Sequence, residues 1–447
     1  MKAEDRWQSL IDEDRERWLG TVEEFRRTCF ERLIRFGDRH LCNHLRPKFL
    51  TETEMARLER SAEAVMRGIV LAGARVMDDP ELRRQMGFRP IEEEFIAPDP
   101  GFSHPAPCAR LDSFITPDGP RFVELNGECP AGPGYSDRLA DAFLEHPLAE
   151  RFQAYRTLRK IDTLAPLLDT LLTCWAEFDG SRDPRVAIVD YLDVSTRFEF
   201  EIVRDYFRSR GVETEIVDPR HLEYDGKQLS SGGRVFDLVY KRVLMNEFID
   251  RLDEVRPLFE AYRDGRICLV NPFRSKVVHK KAIFAVVTGD DRREWLDAET
   301  VAEIDRAVPW TRVLRDVRTR YHGEEVDLLA MLEERRETFV LKPNDDYGGK
   351  GITLGWEVSP EDWRRALRGA LDRDFVVQER VTMIAEPFPA FAKDLRCDQL
   401  FVDLDPYLYL GQVHGALGRL GAGSLCNVTS GGGQVPVLIV PDRENSA

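Results

Sequence analysis

Residues 339–354 read FVLKPNDDYGGKGITL, and no other stretch limits the fold of this chain as tightly. A short apolar strand stops on Lys342-Pro343. A polar loop follows, with Gly348, Gly349 and Gly351 around Tyr347 and Lys350, and a second apolar run closes the unit at Ile352 to Leu354. Glycines let backbone amides approach an anion closely, and the two lysines add charge, so a polyphosphate is the natural guest. The spacing is not that of a P-loop, because no Gly-Lys-Ser/Thr opens a helix here. A hairpin whose glycines only satisfy turn geometry would share the pattern.

A second constraint lies far earlier in the chain. CARLDSFI and RFVELN are extended runs joined by TPDGP, which predicts a hairpin. Arg110 and Asp112 are two apart, as are Glu124 and Asn126, so each pair projects from one face of its strand. With the turn centred on Asp118, Asp112 faces Glu124 and Arg110 faces Asn126. That arrangement requires a loop of odd length, because a two-residue turn would send the pairs to opposite faces. Two carboxylates and an amide oxygen this close repel unless a cation sits among them. Hard oxygen ligands of this kind suit Mg²⁺ bridged to nucleotide phosphates. An exposed sheet face with an Arg–carboxylate ion pair is the plainer alternative. The next loop, GECPAGPGYSD, has the texture of a site rim.

The intervening and flanking segments supply a frame. Residues 1–95 read as an N-terminal helical region with no chemistry of its own, and Thr51 or Thr53 is placed to cap its second long helix. Residues 96–150 hold the acidic hairpin and 151–179 connecting helices, with Pro166 as a kink or break. Strand, helix, strand over RVAIVDY, STRFEFEIVRDYFRSRG and VETEIVD predicts a parallel βαβ unit, with Thr196 and Glu199 at capping-box spacing. Together with an Asp225-Gly226 hairpin and the strand FDLVYKRV, 180–270 forms a small three-layer α/β domain. Its loop at Asp193 to Arg197 lies beside a helix N-terminus, where anionic substrates bind, although capping explains those residues equally well. From 271 to 440 come Lys280 and Lys281, either a phosphate contact or a solvated basic turn; a mostly helical 292–337 with a strand near TRVL; and a strand ending in Gln378-Glu379, suited to an adenine edge. Arg396 and Arg419 lie in or beside the last strands, and arginine's fork suits a developing oxyanion.

Taken in this order, the segments resemble the circularly permuted ATP-grasp proteins, most of all the synthetase domain of glutathionylspermidine synthetase and its relatives. In that group the metal-binding strands precede the nucleotide lysines, as RLDSFITPDGPRFVELN precedes FVLKPNDDYGGKGI here. The resemblance implies an α/β (α+β) ATP-grasp fold in which Asp112, Glu124 and Asn126 hold Mg²⁺. It implies that Lys281, Lys342, Tyr347, Gly348, Gly349, Lys350, Gly351, Gln378 and Glu379 bind ATP, and that Arg110 and Arg419 act on the transferring group. The implied activity is ATP-dependent ligation of a carboxylate (an amino acid or peptide) to an amine through an acyl-phosphate. A non-catalytic nucleotide-binding scaffold and a phosphotransferase with another acceptor are the alternatives. The loop NDDYGGKG departs from the Arg-Glu-Gly form of the spermidine enzyme, and no amidase region accompanies it, so glutathione and spermidine are not implied as substrates.

Composition excludes other classes. A formal charge of -16 argues against nucleic-acid or anionic-membrane partners. No apolar run approaches a membrane span, and the charged N-terminus lacks a secretory apolar core. Eight cysteines without a CxxC pair indicate reduced thiols in a cytoplasmic protein, with Cys129 and Cys426 as buried structural residues. His40 and His44, at i,i+4 spacing, lack further ligands for a metal. Oligomeric state is not encoded in any pattern found.

Overall fold

The computed structural model describes every residue except 347, 372, 424–432 and 443–447. The fold is mixed α/β. The acidic hairpin supplies two strands of a six-stranded antiparallel sheet, in the order Gly433–Val435, Gln412–Gly421, Cys397–Tyr409, Cys108–Thr116 and Gly119–Asn126, with Ala385–Pro389 beside Cys397–Tyr409. An early segment is thus sealed against the last strands of the chain.

The hairpin register holds, but by a different device from the one predicted. Arg110 pairs with Asn126 and Asp112 with Glu124, whereas Thr116 pairs with Gly119 across a two-residue turn. The register shifts between Asp112 and Ser113, where Val123 is the extra residue of a β-bulge. A two-residue turn alone would have separated the pairs. The bulge restores them, so the odd-length loop is not needed. Gly119, at φ 114°, supplies the backbone that this turn demands.

The α/β unit has a four-stranded parallel sheet in the order Cys268–Val270, Leu238–Lys241, Val186–Val189 and Thr214–Val217. Alternation along its strands splits the side chains between two cores. Ala187, Val189, Val239 and Leu269 face Val255, Leu258 and Phe259 of the helix Leu252–Arg263. Val186, Ile188, Leu238 and Cys268 face the helices Leu164–Phe178 and Arg197–Ser209. That is a three-layer arrangement. Pro166 kinks nothing: it is the third residue of its helix, where no intrahelical N–H is required. The helix after the first strand does begin past Thr196, but without a side-chain cap. Glu199 instead turns inward and accepts hydrogen bonds from Gly132 N and Gly134 N at 2.8 and 3.1 Å.

The lysine strand Phe339–Pro343 sits in a four-stranded sheet, in the order Thr311–Val313, Phe375–Glu379, Phe339–Pro343 and Thr353–Leu354. It has its own core around Phe339, Leu341, Trp363, Leu367 and Val377. The stretch 292–337, expected to be mostly helical, also contains an antiparallel pair, Arg318–Tyr321 with Glu324–Asp327. It packs through Tyr321 and Val326 and carries an exposed Arg318–Glu325 ion pair at 2.7 Å, so it shows little apolar alternation to betray it.

The long helix Glu52–Asp78 starts at a capping box: Thr51 Oγ1 accepts from Glu54 N, and Glu54 accepts from Thr51 N. Its apolar stripe (Met55, Leu58, Ala62, Val65, Ile69, Ala72, Val76) packs into the largest core. The short strand Lys48–Thr51 just before it pairs in parallel with Val437–Val440. His40 and His44 are not on a helix. One is in the short strand Arg39–His40 and the other bridges Ala390, so they do not form a metal pair. The described cysteines are free thiols, and among the described residues no helix is long and apolar enough to cross a membrane.

Candidate functional site

A cavity of about 620 Å³ lies where the large sheet, the lysine sheet and the parallel-sheet unit meet. Its walls include Arg110, Asp112, Glu124 and Asn126 from the hairpin, and Arg419 from the adjoining sheet. Facing them are Lys342, Gly348, Gly349, Gln378 and Glu379. The two hairpins therefore wall one cleft. The bulge makes the closest link, because the Val123 carbonyl accepts from Lys342 Nζ at 3.4 Å.

On the acidic side, Arg110 reaches Asp112 at 2.9 Å through Nε and the Ala131 carbonyl at 2.8 Å through Nη1. Asn126 Nδ2 donates to Asp112 Oδ1 at 2.8 Å. Arg419 Nη2 donates to Asp112 at 2.6 Å and Asp403 at 2.5 Å, and lies 2.9 Å from Asp405. Burial alone would raise the Asp112 pKa, but Arg110 and Arg419 outweigh it and hold that carboxyl below the usual range. Asp405 goes the other way: burial pushes it well above the usual range despite Arg419, with Asp112 and Asp403 adding to the rise. Asp405 also fills a gap in the sheet, accepting from Ser113 N at 3.0 Å beside the register shift.

Asp403 and Asp405 are site residues that the sequence reading missed. The signal was present, because VDLD repeats the two-residue spacing of Arg110/Asp112 and Glu124/Asn126. Asp112, Asp403, Glu124 and Asn126 give a set of hard oxygen donors on one wall. Among the described residues no donor reaches the buried Asp403 Oδ1. That donor set fits a divalent cation such as Mg²⁺.

On the lysine side, Lys342 Nζ donates to Gln378 Oε1 at 2.7 Å. Burial lowers its pKa to about 8, with Lys281 adding to the fall and Glu124 opposing it. Lys281 lies 3.4 Å from Glu124 and donates to the Asp346 carbonyl at 2.7 Å. Its neighbour Lys280 turns to Glu92 at 2.9 Å and lies 3.8 Å from Asp345 at the base of the glycine loop. Gln378 is also held by Thr311 at 3.0 Å, which commits its side chain; Glu379 accepts from Tyr321 OH at 2.7 Å. Gly348, Gly349 and Gly351 all have positive φ, a backbone that a β-carbon would strain. Lys350 is exposed, and neither it nor Gly351 lines the cavity. Tyr347 and Cys426 lie outside the described residues.

The other end of the cavity is built from loops. Asp190, Asp193, Val194, Ser195 and Thr196 follow the strand Val186–Val189, and Arg242, Leu244 and Glu247 follow Leu238–Lys241. Burial raises Asp190 to a pKa of about 7, against the pull of Arg242. Arg242 donates to the Pro130 carbonyl at 2.7 Å and lies 3.4 Å from Glu199. Cys129 stands between the two ends, its thiol pushed to about 12 by burial. Phe36 and Leu41 complete this wall, and Gly37 N donates to the Ser195 carbonyl at 3.0 Å. The N-terminal region, read from sequence as packing only, therefore contributes to the cavity.

No family model matches the chain. A curated relative, the putative glutamate–cysteine ligase 2-2 of Frankia casuarinae, is 27% identical over 405 residues, 85% of this chain and 42% of that protein. The chain thus spans less than half of the relative's length, and the activity in that name does not attach to the shared portion by itself. Among solved structures, a glutathione synthetase-like effector from Globodera pallida in its apo form matches with a TM-score of 0.61 and 12% identity, covering 96% of this chain and 98% of that one. At that identity the similarity is one of fold: the chain has the mixed α/β architecture of a glutathione synthetase-like protein.

Proposed function

We propose that this chain is an ATP-dependent carboxylate–amine ligase of the ATP-grasp kind, in the permuted order that places the metal-binding hairpin before the nucleotide lysine. One observation carries the reading. The acidic hairpin and the lysine–glycine hairpin, remote in sequence, wall the same cavity and touch at Val123 and Lys342. Val340, Leu354, Trp356 and Met383 line the cavity with Glu379 and suit a nucleobase. Lys342 neutralises the phosphates, aided by Lys281, which is not on the cavity wall but lies 3.4 Å from Glu124. Asp112, Glu124 and Asn126 hold Mg²⁺, which when bound screens the phosphate charge.

The chain's own residues then have defined tasks. Gly348 and Gly349 bring backbone amides over the terminal phosphate, and Arg110 and Arg419 stabilise the charge that builds on it. A substrate carboxylate oxygen attacks the γ-phosphorus, the bond to the β-phosphate oxygen breaks, and ADP and an acyl-phosphate result. An amine nitrogen attacks the acyl carbon and phosphate leaves. The amine must first lose a proton, and Asp190, with a pKa of about 7 at the loop-built end, suits that transfer. No nucleophilic side chain is required, and the Cys129 thiol stays protonated.

ADP release measured with and without amino acids, peptides and polyamines tests the proposal. Release that depends on a carboxylate together with an amine supports it. Tight nucleotide binding with no release for any pair would sink it in favour of a binding-only protein.

A further inference from the structure

We infer that Asp403 is a ligand of the divalent cation beside Asp112, and that the Arg419 guanidinium holds the cation's place until nucleotide arrives. The inference rests on the ligase reading and adds to it one ligand and one exchange. Arg419 Nη2 lies 2.6, 2.5 and 2.9 Å from oxygens of Asp112, Asp403 and Asp405. A single cationic nitrogen is drawn to the point where three carboxylates converge. One oxygen from each of the three comes within 4.8 Å of the others, and ligands roughly 2.1 Å from one ion are at most about 4.2 Å apart, so the carboxylates need draw in only slightly to share it.

The three carboxylates are not equivalent. Asp405 is fully buried, is absent from the cavity wall, and anchors Ser113 N through Oδ1. Its task is to hold the sheet together. Asp403, only 3% exposed, lines the cavity; among the described residues neither its Oδ1 nor Asp405 Oδ2 has a hydrogen-bond partner, so its place on the wall is what sets it apart from Asp405. It pairs in register with Phe114, two residues from Asp112, so its side chain is on the Asp112 face. A buried carboxylate oxygen without a donor is costly, and a cation at this point would complete its coordination.

A metal ion and a guanidinium cannot share that point, because like charges repel. A polyphosphate offers Arg419 another anion, so nucleotide and metal favour each other by drawing the arginine off the carboxylates. Metal alone must compete with it.

Mn²⁺ binding to the full chain, followed by the electron paramagnetic resonance of the free ion, tests this. Melting temperatures first establish that each variant folds. With a nonhydrolysable ATP analogue bound, Asp403→Asn should weaken Mn²⁺ binding by roughly tenfold or more, as should Asp112→Asn. Without nucleotide, Arg419→Gln should bind Mn²⁺ roughly tenfold more tightly than the wild type. Wild-type affinity in Asp403→Asn, while Asp112→Asn loses the ion, would overturn the inference and leave the ligase reading standing. So would a folded Arg419→Gln that takes up metal alone no better than the wild type. If Arg419→Gln does not fold, the Asp403→Asn comparison decides. A nucleotide-loaded wild type that binds no Mn²⁺ would remove the ligase reading and this inference together.

Discussion

The two ends of the cavity are built on opposite plans. At the phosphate end, every predicted charge that lines the wall comes from a strand and is matched by another side chain: Asp112 by Arg110 and Arg419, Lys342 by Gln378, Glu124 by Lys281. At the other end the groups come from loops after parallel strands and lean on the main chain, as Asp190 does on Tyr191 N and Arg242 on the Pro130 carbonyl. A matched, strand-borne site keeps its backbone frame fixed before any ligand arrives, and only side chains such as Arg419 need change partners. A loop-built end can vary its side chains without disturbing the sheet, which is where substrate choice is expected to reside.

The largest test of that contrast is Lys342→Ala. It removes the central cation of the matched end and leaves Gln378 without its donor. Binding of a nonhydrolysable ATP analogue should weaken by about 3 kcal/mol, read by calorimetry. An unchanged affinity would mean that the lysine wall does not meet nucleotide. Glu124→Gln should separate binding from turnover: analogue affinity falls less than about tenfold, and ADP release falls roughly a hundredfold. Equal losses in both would place Glu124 among purely structural groups.

The pH dependence sharpens the comparison further. Lys342, lowered to about 8 by burial, is charged in the free protein below that pH, and phosphate binding favours the charged form. Analogue affinity should therefore fall as pH rises above about 8, by up to roughly tenfold per unit, and Lys342→Ala should abolish the slope. The smallest effect belongs to the loop-built end. Asp190 keeps its proton to about pH 7 when folded, whereas an unfolded aspartate loses it near its ordinary value. The folded state binds more protons across that window, so this group's contribution to stability is lost as pH rises through it. Asp190→Asn should raise the melting temperature relative to wild type more at pH 8 than at pH 5. Equal shifts at both would show that Asp190 is not the buried acid described here.

The same contrast explains what could be read from the residues alone. Arg110, Asp112, Glu124 and Asn126 are legible because a strand alternates and a hairpin has a register, so spacing becomes geometry. The bulge at Val123 was not legible, since nothing local distinguishes an extra residue in the strand from one in the turn. Asp403 was overlooked although it obeys the same spacing, because its partner strand lies hundreds of residues away and only the folded sheet pairs them. Phe36, Arg242 and Asp190 share no motif at all. Loops from three segments bring them together, and that juxtaposition is a product of tertiary packing. The charged hairpin at 318–327 was hidden for a further reason: its apolar face is only Tyr321 and Val326, set among charged residues.

The sheet that holds Asp112 has a consequence during synthesis. Its hairpin is complete at Asn126, yet the strand carrying Arg419 is made only about 290 residues later. At ribosomal speeds of roughly 5–20 residues per second, the gap is about 15–60 s. For that time Cys108–Thr116 has one unfilled flank, and Asp112 has Arg110 but not the second arginine, Arg419, that offsets it in the folded sheet. Maturation of this pocket therefore waits on the polymerase of proteins, not on the folding of its first half.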